Sequence, residues 1–474
     1  MLDPRALLAS DKCRGFAALM LVAALSVGRL LRRHAAPRVI HRRGAMVRPS
    51  QAVNRRAARA PAARDFHPIC VGGFAIPEQD ETKHFKFLGT TGTGKTTAIR
   101  ELLRNALERG DRAVVTDPSG SYLERFYEHY RGDVILNPFE PRSARWNPFL
   151  ELRSPYDYDE LARGLIPQSD DSSGREWRGY ARTFLAAVLK RCDELGLHDI
   201  GQLWRLLAIA TSAEVRQIVA GTPAEPFLDP DNARMFGSIR SVAVSACAAL
   251  EHLRGQRGAP FSIRDWAQSG RGSLFIPYWA SQVAALRTLI ATWVRIAIFE
   301  VLSEPPDEGR RLWFIVDELD ALGAIDGLKD ALARLRKFGG RCVLGFQSVA
   351  QVSTTYGAGE AQTIVENCGN TLILRCAGSE HGGTSRFASR LIGEREVLRR
   401  HTARGRDRGS LLSRRGMRLS TQVSEQVVTE SAVLPAELEQ LPDLTGFLKA
   451  ASSAQWMRIR LARESGRWRS TTSA

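Results

Sequence analysis

GTTGTGKT, residues 89–96, is the stretch that most narrows the folds open to this chain. It satisfies the pattern G-x-x-x-x-G-K-[ST] and stands where that pattern must stand, after a short apolar run and before a helical one. Such a loop is delivered by a strand and left by a helix, which points to an α/β sheet with its site at the carboxyl ends of the strands. Glycine there lets backbone N–H groups curl around an anion with no Cβ in the way, and the positive end of the following helix faces it. That helix should present Ala98, Ile99, Leu102, Ala106 and Leu107 on one face and end at Gly110.

Short β-branched or aromatic runs recur at 85–88, 113–117, 133–138, 273–278, 311–318, 342–347 and 371–376, mostly with helical stretches between them. They are apolar throughout rather than alternating, as expected of strands covered on both faces of a mostly parallel sheet. Between about 155 and 265 no convincing strand is visible. Apolar or aromatic residues at 177, 180, 181, 184, 185, 188 and 189 mark one helical face, and 195–220 and 232–253 also read as helical. The division that follows is a nucleotide-binding domain in two parts, 67–154 and 266–474, with an all-α domain at 155–265 inserted between them.

The loop comprises Gly89, Thr90, Thr91, Gly92, Thr93, Gly94, Lys95, Thr96 and Thr97. If it holds ATP, Lys95 reaches the β and γ phosphates and the Thr96 hydroxyl ligates Mg²⁺. Hydrolysis also needs a metal carboxylate and a group that orients water. The run LWFIVDE ends in Asp317 and Glu318, suited to holding Mg²⁺ and to polarising the attacking water respectively. The plainer alternative is an acidic helix cap after a buried strand, and pairing with Lys95 disfavours it. The next run ends in GFQS, which sets Gln347 beside that pair, either as a sensor of the γ phosphate or as the start of a surface loop. In GLKDALARLRKFGG a helix can bury Leu328, Ala331, Leu332 and Leu335 while Arg334, Arg336 and Lys337 project. Those cations are either a solvated face or the source of an arginine finger for a neighbouring subunit.

The net charge of +16 is uneven: residues 1–65 hold 14 Lys and Arg against 3 acids, and 399–418 hold 8 Arg against 1 acid. The rest of the 474-residue chain is close to neutral, so two local segments face something anionic, lipid or nucleic acid. GFAALMLVAALSVG (15–28) is uncharged and apolar, with arginines directly after it. It is short for a span, but residues 1–34 fit a membrane anchor with the body in the cytoplasm better than a signal or transit peptide. Residues 35–66 read as a basic linker without periodicity. The stretch 399–418 reads as a structureless loop, either contacting DNA or simply solvated. Seven cysteines show no metal spacing and need no oxidising compartment.

From Lys95 to Asp317 is long for one compact nucleotide domain, and the helical block fills the excess. With GTTGTGKT, DPSG (117–120), ILNPF (135–139), YDYDELARGLIP (156–167), FSIRDW (261–266), LWFIVDEL and GFQS in order, the chain resembles the coupling proteins of conjugative type IV secretion systems, the TraD/TrwB type, from about Val71 to Gly446. The resemblance implies a RecA-like nucleotide domain, a membrane-distal all-α domain, an anchor in the bacterial inner membrane, and a homo-hexamer. It also implies partners: single-stranded DNA, a relaxase complex and the secretion channel. By position it makes Lys95 and Thr96 the phosphate-loop residues, Asp317 and Glu318 the metal and water residues, Gln347 the polar residue at the strand end, and Arg336 the arginine acting across the interface. One departure is that such proteins begin with two membrane helices, where this chain offers one short apolar run. Two other readings stay open: a soluble duplex DNA pump of the FtsK or HerA kind, and a docking receptor for secreted proteins.

Overall fold

The structure, a computed structural model, describes residues 39–49, 67–168, 172–378, 383–407 and 418–463. They fall into two compact units, one within Met1–Ala45 and Gly393–Ala432, the other within Met46–Ile392 and Val433–Ala474. The main strands are β1 (Ile40–Gly44), β2 (Met46–Pro49), β3 (Phe85–Leu88), β4 (Arg112–Pro118), β5 (Val134–Ile135), β6 (Leu274–Tyr278), β7 (Leu312–Val316), β8 (Gly340–Phe346), β9 (Asn370–Ile373), β10 (Glu394–Asp407), β11 (Arg418–Ser431), β12 (Thr445–Lys449) and β13 (Gln455–Arg460). The main helices are α1 (Lys95–Glu108), α2 (Ser121–Phe126), α3 (Asp157–Leu165), α4 (Ser172–Glu194), α5 (Ile200–Ala208), α6 (Ser212–Ile218), α7 (Ala233–Cys247), α8 (Ile263–Ser269), α9 (Val283–Ser303), α10 (Leu328–Leu335), α11 (Val349–Tyr356), α12 (Ala358–Asn367) and α13 (Gly383–Ile392).

The larger unit is built on a ten-stranded sheet in the order β2-β13-β12-β9-β3-β8-β7-β4-β6-β5. The seven strands from β9 to β5 run parallel, and β12 and β13 add an antiparallel flank. Every residue of β3, β6, β7 and β8 is buried. That burial is why these runs carry no polar alternation: helices cover both faces. Strands β3, β8 and β7 are consecutive neighbours, so their carboxyl ends open side by side. The register pairs Leu88 with Phe346 and Val316 with Leu344, which sets Asp317 abreast of Gly345. At the amino ends of the strands buried charges are paired among themselves: Arg109 and Arg341 both bond Glu81, and Asp111 accepts from Arg109 and from the Trp313 indole N–H at 2.8 Å.

Residues 157–269 carry α3 to α8 in the same unit as the sheet. On α4, buried Ala181, Phe184, Leu185, Val188, Leu189 and Cys192 repeat at helical spacing, and Phe184 meets Phe236 of α7 edge-on at 5.3 Å. The expected helix at 195–220 is two, α5 and α6, each with a side-chain cap: Asp199 accepts from Gln202 N and Thr211 from Glu214 N. The expectation of no strand in 155–265 fails at Pro260–Phe261, which pairs with Arg145–Trp146. The cause is the buried Glu151 carboxylate. It accepts from the Trp146 indole at 2.8 Å, from Ile263 N at 2.7 Å and Arg264 N at 3.1 Å at the start of α8, and from the Ser262 hydroxyl. WNPF and FSIRDW, far apart in sequence, are thus two halves of one staple. On α9, Arg295 is 5% exposed, reaches Glu160 of α3 at 2.6 Å and donates to the Asp326 carbonyl at 3.1 Å just before α10.

The smaller unit is a three-stranded antiparallel sheet, β1-β10-β11. Two expectations are corrected here. Residues 399–407 are not a structureless loop but the outer half of β10, paired residue for residue with β11 from Glu394↔Ser431 to Asp407↔Arg418. Charge masked the strand: Arg395 and Arg399 both pair with Glu430, and Arg400 pairs with Glu425 across the ladder, so opposite charges stand beside apolar cross-strand pairs such as Val397↔Val428. The basic linker read over 35–66 likewise contains strands. β1 joins β10, with Arg43 bonded to Glu396 at 2.6 Å, and in the larger unit β2 lies parallel to β13. The apolar run at 15–28 lies outside the described residues, and among the described residues no helix is long and apolar enough to cross a membrane.

Candidate nucleotide site

The phosphate loop leaves β3 at Leu88 and is held from beneath by its neighbours. Thr90 N donates to the Arg375 carbonyl at 2.9 Å and Leu444 N to the Thr93 carbonyl at 2.9 Å, while the Thr93 hydroxyl bonds Thr90 O at 2.8 Å. Gly92 and Gly94 have φ of 78° and 112°, a region glycine enters freely. A Cβ on Gly94 would also come within 2.8 Å of the Leu444 side chain. α1 then begins at Lys95, which is 6% exposed and folds its ammonium back toward the Gly89 carbonyl at 3.4 Å.

Two strand ends complete the cleft. Asp317, beyond β7, is 1% exposed, and its Oδ2 accepts from the Thr96 hydroxyl at 2.9 Å and from the Tyr122 hydroxyl at 2.9 Å. Its Oδ1 is buried without a hydrogen-bond partner. Glu318 follows in the left-handed region at φ 64°, a conformation that costs a non-glycine residue about 1–3 kcal/mol and is held by its surroundings. Beyond β8, Gln347 donates Nε2–H to Glu318 Oε1 at 3.2 Å and accepts the Thr91 hydroxyl at 3.1 Å, so a continuous chain of bonds joins the phosphate loop to Glu318. Burial first, and the Asp317 charge second, push the Glu318 carboxyl above its ordinary value, against the pull of Lys95 and the Gln347 bond. A cavity of about 300 Å³ is lined by Thr90, Thr91, Gly92, Gly94, Lys95, Thr96, Thr97, Glu318 and Gln347, closed on its far side by Asp443, Leu444 and Arg463. A larger cleft of about 740 Å³, between Arg100 and Trp279, lies beyond the loop and shares none of these residues.

The residues drawn from the sequence therefore meet at one place, apart from Arg336. It is exposed, next to the residues that lead into β8. Gln347 leaves the other end of that seven-residue strand, and seven residues span about 20 Å. Within one chain Arg336 cannot reach its own Lys95. Sequence reasoning missed Tyr122, Gly345 and the 443–463 segment. Tyr122 reads as one more core aromatic. Gly345, isolated in an apolar run, carried a usable signal of close backbone approach: a Cβ there would sit 2.8 Å from Asp317 Oδ1 and 3.4 Å from Lys95 Cδ. Leu444, at φ 61°, carried none.

A hydroxyl and a buried carboxylate with an unused oxygen are hard oxygen donors, suited to Mg²⁺ that takes its remaining ligands from phosphate and water. Among the described residues no group of three or more His, Cys, Asp or Glu side chains gathers as a metal cluster.

Comparison with known proteins identifies the family. The family model for the type IV secretion-system coupling protein DNA-binding domain matches residues 68–462. The coupling protein TraD of Escherichia coli K12 is 31% identical over 389 residues, 80% of this chain and 52% of TraD. The conjugative coupling protein TrwBdeltaN70, unbound, superposes with a TM-score of 0.78 at 31% identity over 91% of this chain and 96% of that one. TrwB with ADP and Mg²⁺ superposes at 0.79 and 30% identity, over 92% and 97%. The chain spans between half and two thirds of the length of the curated relatives it matches. A RecA-like α/β sheet, a phosphate loop facing two strand-end carboxylates and a family match over most of its length place this chain in the type IV secretion-system coupling proteins.

Proposed function

We propose that this chain is a DNA-dependent ATPase that couples a relaxase–DNA complex to a type IV secretion channel and drives single-stranded DNA through a homo-hexameric ring. The observation that carries the reading is the meeting of Lys95, Thr96, Glu318 and Gln347 around one cavity, with the buried Asp317 bonded to Thr96 behind it. TrwB, similar along 91% of this chain, has been solved with the ATP analogue ADPNP.

In this reading the γ phosphate of ATP lies against Lys95 and the amides of residues 89–97, with Thr96 and Asp317 holding Mg²⁺. The cation, when bound, neutralises charge on the β and γ phosphate oxygens. Glu318 takes a proton from the attacking water, the new oxygen–phosphorus bond forms on the γ phosphorus, and the bond to the β-phosphate oxygen breaks to leave ADP and phosphate. Gln347 lies between Thr91 and Glu318 and so registers whether the γ position is filled. Arg336, at the opposite ends of the strands from its own Lys95, serves the neighbouring subunit. Residues 67–154 and 266–474 act as the motor, 155–265 meet the relaxase and DNA, and 1–34 anchor the ring in the bacterial inner membrane.

Titration of the ATPase with single-stranded and duplex oligonucleotides tests the substrate. The expected result is stronger stimulation by single strands. Stronger stimulation by duplex favours a pump of the FtsK or HerA kind, and no response to either favours a docking receptor whose nucleotide serves assembly.

A further inference from the structure

The geometry points to Tyr122 as a positioning residue for the metal carboxylate, its hydroxyl setting the orientation of Asp317 and thereby the affinity of the nucleotide site for Mg²⁺. The inference rests on the reading of Asp317 as the Mg²⁺ carboxylate and extends it to a residue outside the phosphate loop and the two strand ends.

Tyr122 is 0% exposed and packs in the central hydrophobic cluster, where a phenylalanine of the same shape would fill the space. Burying a hydroxyl is costly unless it is bonded, so the oxygen calls for its own account. Its bond is to Asp317 Oδ2 at 2.9 Å, across 195 residues of sequence. The local chain is built to bring it there. Ser119 and Gly120 both take positive φ, 92° and 70°, turning the backbone sharply after β4. Asp117 then accepts from Tyr122 N at 3.0 Å and Leu123 N at 2.7 Å, fixing the first turn of α2 and with it the direction of the phenol. DPSGSY is thus a unit that carries one hydroxyl to the underside of Asp317.

The two O–H donors on Oδ2 come from different elements, Thr96 on α1 and Tyr122 on α2. Thr96 is itself a metal ligand in this reading, so Tyr122 is the donor that stays committed to the carboxylate when a cation is held. It leaves Oδ1 on the side of Gly345, where a Cβ on that glycine would sit only 2.8 Å away. Removing a hydrogen-bond partner of a ligating carboxylate typically lowers metal affinity about 10–100-fold. The open face of α1 meets the same ring: the Arg100 guanidinium lies 5.8 Å from the Tyr122 ring centroid and lines the neighbouring cleft.

The test compares the full chain with Tyr122→Phe and with Leu123→Ala, which loosens the same helix without touching the hydroxyl. The readout is binding of a fluorescent ADP, first in EDTA and then as Mg²⁺ is added back. The expected result is that Tyr122→Phe binds ADP in EDTA like the unaltered chain but needs about tenfold or more Mg²⁺ for half-maximal tightening, while Leu123→Ala keeps the normal Mg²⁺ midpoint. An unchanged midpoint in Tyr122→Phe overturns the inference. So does a loss of ADP binding in EDTA, or a matching shift in Leu123→Ala, since either marks the tyrosine as part of the packing alone. If the unaltered chain itself binds ADP with no response to Mg²⁺, the role given to Asp317 fails instead.

Discussion

Glu318→Gln yields a chain that binds ATP with nearly normal affinity and hydrolyses it about 10²–10⁴ times more slowly, the usual contribution of a general base. The substitution keeps shape and the ability to accept from Gln347, whose Nε2 bonds Oε1 at 3.2 Å, so the left-handed turn at 318 stays supported. What is lost is a site for the proton of the attacking water. Phosphate release gives the rate and nucleotide titration gives the affinity. The unaltered chain should also lose rate on acidification as Glu318 becomes protonated. Because burial and Asp317 raise that carboxyl, the acid limb falls above the ordinary glutamate value of about 4.3. The residual rate of the amide variant lacks that limb. A variant that turns over at the normal rate removes Glu318 from the chemistry.

Arg336→Ala lowers the DNA-stimulated rate about 10³–10⁵-fold, the range measured for arginine fingers, while ADP affinity stays unchanged. The side chain is exposed where α10 gives way to β8, so the fold does not depend on it. Its distance from its own Lys95 makes the loss a property of the assembly, and mixing separates this account from a local defect. A Glu318→Gln subunit carries an intact Arg336, and an Arg336→Ala subunit carries an intact Glu318. Equal mixtures should therefore recover activity that neither variant has alone. Full activity in Arg336→Ala, or no recovery on mixing, removes the finger.

The centre of the fold was legible because its strands are buried on both faces. FKFL at 85–88 and LWFIV at 312–316 are continuous apolar runs that only a covered parallel sheet requires. Lys95, Asp317, Glu318 and Gln347 were legible because each directly follows such a run, or the loop after it, and adjacent parallel strands bring those ends together. The flank was not. QWMRIR in β13 and MVRP in β2 carry polar residues on exposed positions, and their pairing comes from neighbours rather than from their own pattern. The arginine-rich ribbon failed for a different reason: its ladder is supported by Arg–Glu pairs between residues some 25–35 apart, invisible to any local window. Tyr122 and Glu151 failed because each acts on a partner more than 100 residues away. Nothing in a short window separates a buried tyrosine with a bonded hydroxyl from one that only packs.

The central claim is that one γ phosphate is held between the Lys95 amine and the Asp317 and Glu318 carboxylates, and the most direct measurement is an experimental structure of Glu318→Gln with ATP and Mg²⁺. The account predicts Lys95 Nζ within hydrogen-bond reach of the γ phosphate, about 2.7–3.0 Å, with Mg²⁺ on the Thr96 hydroxyl and the Asp317 side of the cleft. ATP bound in the larger cleft between Arg100 and Trp279, or with its γ phosphate turned away from Lys95, would contradict it.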